Sequence, residues 1–129
     1  MDLKMKAKFY ICERCGNQVE MVHDSGVNPV CCGQKMTELK AGVVEASHEK
    51  HIPVVSVEGS LVKVTVGAVE HPMSAEHSIE WIVLETDRSV QRKHLAPGDA
   101  PSVEFRIGDE KPIAVYAYCT LHGLWRADV

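Results

Sequence analysis

From Val54 onward, apolar and polar residues alternate in short runs broken by turn formers. Val62-Lys63-Val64-Thr65-Val66, Ile79-Glu80-Trp81-Ile82, Val103-Glu104-Phe105-Arg106-Ile107 and Ala114-Val115-Tyr116-Ala117-Tyr118 keep period two or nearly so, the spacing of strands that bury one face. Glu58-Gly59-Ser60 reads as a hairpin turn, and Ala96-Pro97-Gly98-Asp99-Ala100-Pro101 as a longer connection between strands. No stretch carries three turns of helical periodicity. Short strands with frequent turns predict a β-sandwich over residues 47–129 and an all-β fold class for the chain.

The opening stretch, residues 1–37, follows a different logic. Its apolar residues (Phe9, Tyr10, Ile11, Val19, Met21, Val22, Val30, Met36) are too few to close a core, so a segment this short needs a staple. Cys12-Glu13-Arg14-Cys15-Gly16 and, with fifteen residues between Cys15 and Cys31, Cys31-Cys32-Gly33 supply one. A CxxC turn presents two sulfurs with amides aimed at them, and a second pair closes a tetrahedron around zinc or iron. Cys31 and Cys32 are adjacent, which predicts a distorted site, since neighbours cannot form the usual knuckle. Residues 38–46, of mixed character, read as a linker.

Charge and hydropathy narrow the partners. The net charge is −4 with no run of Lys or Arg, which argues against nucleic acid or an acidic membrane surface. No apolar run approaches the roughly 20 residues of a membrane helix, and the charged start, residues 1–6, leads into no signal-peptide core. A cytoplasmic protein is expected. There thiols stay reduced, so five cysteines point to metal ligation rather than disulfides.

Chemistry gathers again near the end of the chain. Tyr118-Cys119-Thr120-Leu121-His122-Gly123-Leu124-Trp125 sets a thiolate and an imidazole three residues apart, a metal hook whose glycine lets the backbone leave the turn. His48, His51, His71, His77 and His94 precede it, several of them in turn-like segments between strands. Histidines in loops at one end of a sandwich can converge with the hook. A thiolate with several imidazoles suits a redox iron better than zinc, which prefers a closed tetrahedron.

The Cys12/Cys15 and Cys31/Cys32 pairs resemble desulforedoxin and the N-terminal part of desulfoferrodoxin. Glu49-Lys50-His51-Ile52-Pro53, Gly67-Ala68-Val69-Glu70-His71-Pro72-Met73, His77-Ser78-Ile79-Glu80-Trp81-Ile82 and Cys119-Thr120-Leu121-His122-Gly123-Leu124-Trp125 look like the motifs of superoxide reductase. His23, between the cysteine pairs, departs from a pure thiolate site and reads as a solvated loop residue; His48 and His94 match no ligand position.

That resemblance implies two non-haem irons per chain. The first would be held by Cys12, Cys15, Cys31 and Cys32; the second, square-pyramidal, by His51, His71, His77 and His122 in its base and Cys119 as axial ligand, the sixth position open. It implies an immunoglobulin-like sandwich, a homodimer, a rubredoxin-type electron donor, and amides near Leu121 and His122 pointing at the Cys119 sulfur. The activity implied is one-electron reduction of superoxide to hydrogen peroxide in oxidative-stress defence, with Lys50 attracting the anion and Glu49 able to take the sixth position afterwards. Two rivals from other classes remain at this level: a non-catalytic iron electron carrier, and a zinc-stapled binding module.

Overall fold

A computed structural model describes residues 7–129, so the charged opening stretch, residues 1–6, lies outside the described residues. Two compact units divide the chain, one ending at Lys40 and the other running from Ala41 to Val129.

The first unit is built from strands of two or three residues: β1 (Phe9–Ile11), β2 (Gln18–Glu20), β3 (Val30–Cys31), β4 (Gln34–Lys35) and β5 (Thr37–Leu39). They form one sheet in the order β2-β1-β5 and one ribbon, β3-β4. Tyr10, Cys12 and Met36 are the buried cluster, with Met21 and Cys31 packed against it. Two of these five residues are cysteines, so burial alone holds little here. The sheet continues through Leu39, beyond the limit at residue 37 that composition suggests, because Glu38 and Leu39 pair with Tyr10 and Phe9.

In the second unit a one-turn helix, α1 (His48–His51), precedes β6 (Pro53–Glu58), β7 (Leu61–Val66), β8 (Ile79–Thr86), β9 (Val90–His94), β10 (Ser102–Arg106), β11 (Pro112–Cys119) and β12 (Gly123–Asp128). The strands make two antiparallel sheets, β10-β7-β6 and β12-β11-β8-β9, an immunoglobulin-like sandwich. Inward residues of both sheets form one core: Val62, Val64 and Val66 of β7 and Phe105 of β10 meet Ile82 and Leu84 of β8 and Val115, Ala117 and Cys119 of β11. Period two explains each of these, but not Ile79, which also belongs to the core although it lies three positions from Ile82. A bulge accounts for it. Tyr118 pairs with Trp81 but Cys119 pairs with Ile79, leaving Glu80 as the extra residue that resets the phase of β8. The reset lies at the end of the sandwich where Cys119 closes the core.

Phe105 is 1% exposed at the centre of this packing. Phe105→Ala should lower unfolding stability by about 3–5 kcal/mol, measured by urea denaturation; a loss below about 1 kcal/mol would show that the sheets are not packed around it.

Candidate metal centres

The first centre forms where the β3-β4 ribbon faces the loop after β1. Between Cys31 and Gln34, which pair across the ribbon, the two connecting residues Cys32 and Gly33 have φ of 53° and 76°. A two-residue hairpin with positive φ at both positions follows the strand twist, and it allows adjacent cysteines to share one site. Cys15 Sγ stands 3.6 Å from Cys31 Sγ, and Cys31 Sγ 3.9 Å from Cys32 Sγ. Four sulfurs bound tetrahedrally at about 2.3 Å lie about 3.8 Å apart, so the set fits a metal ion. The Cys15 amide donates to Cys12 Sγ at 3.5 Å and holds that thiol down at about 6. Crowding against the Cys15 sulfur pushes Cys31 upward and Cys32 up to about 12. Four thiolates at this spacing therefore need a cation to balance them. His23 is exposed and outside the group.

The second centre gathers residues from a helix end, two loops and a strand end. His51 closes α1, and its Nδ1 donates to Ser47 O at 2.7 Å. His71 follows the loop after β7, and its Nδ1 donates to Pro72 O at 2.6 Å. A carbonyl only accepts, so both Nδ1 atoms carry the proton and both Nε2 atoms are bare. Those two Nε2 atoms face each other at 3.2 Å. Lone pairs cannot bond one another, and the contact calls for a cation beside them that both can reach. His122 Nδ1 lies 3.1 Å from His51 Nε2, and His77 Nε2 is buried with no hydrogen-bond partner.

Ring positions show the order of the four imidazoles. Centroids of His51–His71, His71–His77, His77–His122 and His122–His51 are 4.7, 4.7, 5.0 and 4.9 Å apart, with each pair near perpendicular. Across the diagonal, His51 and His77 are 6.2 Å apart and nearly parallel. The rings stand at the corners of a square. Nitrogens at right angles around an ion with bonds of about 2.1 Å would be about 3.0 Å apart, close to the 3.1 and 3.2 Å found. Cys119 joins them: its donor atom and those of His51, His77 and His122 all lie within 4.8 Å of one another.

Burial keeps three of the imidazoles in the form that binds metal and works against that form in the thiol. Desolvation lowers His51 and His77 below the usual imidazole range and His71 to about 4, so the rings are neutral at neutral pH. The Cys119 thiol is raised by burial, against which the Leu121 and His122 amides pull it down; His122 N–H donates to Sγ at 3.4 Å. The expected amide contacts to the sulfur are present. Glu49 and Lys50 lie exposed on α1 beside His51, and the Lys50 charge contributes to lowering both His51 and His77 after burial and the neighbouring imidazoles. His94 is exposed on β9, and exposed His48 meets the edge of Trp125 at 5.5 Å.

Two supports were invisible in the motifs. Thr120 and Ser78 clasp the two ligand loops together: Ser78 N–H donates to Thr120 Oγ1 at 3.2 Å and Thr120 N–H to Ser78 O at 3.0 Å. Trp125, 1% exposed, donates from Nε1 to His122 O at 3.1 Å and lies 5.0 Å from the His51 ring. Only cross-strand register brings these residues together. Thr120→Val keeps the shape but orphans the Ser78 N–H. Metal affinity of the second centre, measured by chelator competition, should fall about tenfold or more while the four-cysteine centre is unchanged. Equal affinity in both centres would mean the clasp does not hold the ligands.

Comparison with known proteins agrees with this geometry. The family profile described as desulfoferrodoxin matches residues 43–128, and that of the desulfoferrodoxin N-terminal domain matches residues 5–39. A desulfoferrodoxin from Nitratidesulfovibrio vulgaris is 46% identical over 121 residues, covering 94% of this chain and 95% of the relative. A superoxide reductase from Pyrococcus abyssi is 35% identical over 99 residues, covering 63% of this chain and 86% of its own. The crystal structure of the superoxide reductase from Treponema pallidum superposes with a TM-score of 0.80 at 36% identity, over 96% of this chain and 100% of that one. The chain belongs to the desulfoferrodoxin family.

Proposed function

We propose that this protein is a superoxide reductase, giving one electron to superoxide at the histidine–cysteine centre and releasing hydrogen peroxide. The observation that carries this reading is the square of four imidazoles joined by one buried thiol, a donor set suited to iron. His51, His71, His77, His122 and Cys119 would hold iron, which when bound would supply the electron.

The side chains account for the rest. Imidazole ligands bring no negative charge, so the Cys119 thiolate would be the one negative ligand and a divalent ion held there would keep net positive charge. The amides of Leu121 and His122 draw density from that sulfur and so tune the potential. Lys50, exposed on α1, supplies local attraction for an anion that the net charge of −4 would otherwise repel. Water near its ammonium would deliver the two protons that peroxide requires. Glu49, exposed on α1 beside His51, would hold the remaining position between turnovers.

In the same reading the four-cysteine iron is accessory, a rubredoxin-type carrier returns the electron, and the protein works as a homodimer in the cytosol. Among the described residues no helix is long and apolar enough to cross a membrane.

Superoxide generated by pulse radiolysis tests the activity. A reductase forms one peroxide per superoxide and consumes one donor electron, whereas a dismutase forms half as much and releases oxygen; no acceleration over buffer would leave an electron carrier. Lys50→Ile should slow the second-order reaction with superoxide about tenfold or more, with the spectrum of the second centre retained. Raising salt should slow the parent but not the variant. Equal rates at low salt would remove Lys50 from anion capture.

A further inference from the structure

We propose that Gly67 is a positioning residue of the second centre: its bare Cα is the seat on which α1, carrying Glu49, Lys50 and His51, is held against the loop that leads to His71. A Cβ at Gly67 would lie 2.5 Å from Glu49 O, 2.9 Å from Lys50 C and 3.1 Å from Ile52 O. All three are backbone atoms, so no rotamer change can make room. At Gly59, Gly98 and Gly108, by contrast, an added Cβ would meet nothing within 4 Å. Gly67 is thus required for space.

The loop around Gly67 grips α1 and delivers His71 in one piece of backbone. Val69 N–H donates to Glu49 O at 2.9 Å, Gly67 N–H to Val69 O at 3.3 Å, and His71 N–H to Val66 O at 2.9 Å. A helix of four residues has no stability of its own, so its place is set by what it rests on. His51 Nε2 and His71 Nε2, one on each side of this contact, stand 3.2 Å apart. The backbone approach at Gly67 therefore sets the spacing of two ligands. Ordinary contact around an added methyl needs a shift of about 1 Å, twice the roughly 0.5 Å within which such a constellation must be held.

The inference concerns metal geometry and rests on the proposed function only where Lys50 rides on the same turn. Gly67→Ala, loaded with iron, should release metal from the second centre to a chelator about tenfold faster or more. Its thiolate-to-iron band should shift while the band of the four-cysteine centre stays in place as an internal reference. Unchanged release and an unchanged band would overturn the proposal. If the variant does not fold, hydrogen exchange on the native protein decides: the Val69 amide, in a residue 46% exposed, should be protected like the core amides of β7, and rapid exchange would overturn the seat. Faster metal release in a protein that proves inert toward superoxide would refute the function while leaving the positioning role intact.

Discussion

Two buried imidazole nitrogens, each left without a proton by a carbonyl on the far side of its ring, face each other 3.2 Å apart in His71 and His51. That contact is repulsive unless a cation sits beside it, and much of the second unit serves to impose it. The carbonyls of Ser47 and Pro72 fix the tautomers. Gly67 brings the two backbones together, and Trp125 packs on His51 while holding the His122 turn by its carbonyl. An unpartnered nitrogen on His77 completes the demand for an ion. Fixed donors of this kind give geometry that a flexible surface cluster cannot.

The sandwich provides the rigid end on which these loops stand. Cys119 belongs to the hydrophobic core itself, packed with Val66, Ile79 and Ala117, so its sulfur is the part of the site least able to move. Burial there opposes ionisation, and the amides of Leu121 and His122 offset only part of that cost. The metal must supply the rest. The first unit meets the same constraint with less protein: five packed residues, two of them cysteines, and sulfurs 3.6–3.9 Å apart.

Much of this was legible in the sequence. Alternation located β7, β8, β10 and β11, and the CxxC and CC pairs located the first centre, because both signals are local. The four imidazoles that converge in the second unit were singled out only through resemblance, since composition shows six histidines after His23 and cannot say which four meet. Three features were hidden for physical reasons. Strand β5 is a Thr-Glu-Leu segment too short to alternate. The bulge at Glu80 exists only in the pairing of β8 with β11. The Ser78–Thr120 clasp joins residues 42 apart, and register alone makes them neighbours.

The central claim is that five side chains share one ion, and a crystal structure of the iron-loaded protein with anomalous data tests it most directly. The account predicts one iron peak about 2.1 Å from a nitrogen of each of His51, His71, His77 and His122, with the Cys119 sulfur as fifth ligand, and a second peak among Cys12, Cys15, Cys31 and Cys32. A peak bound by fewer of the four imidazoles, or one that leaves Cys119 unligated, would contradict it.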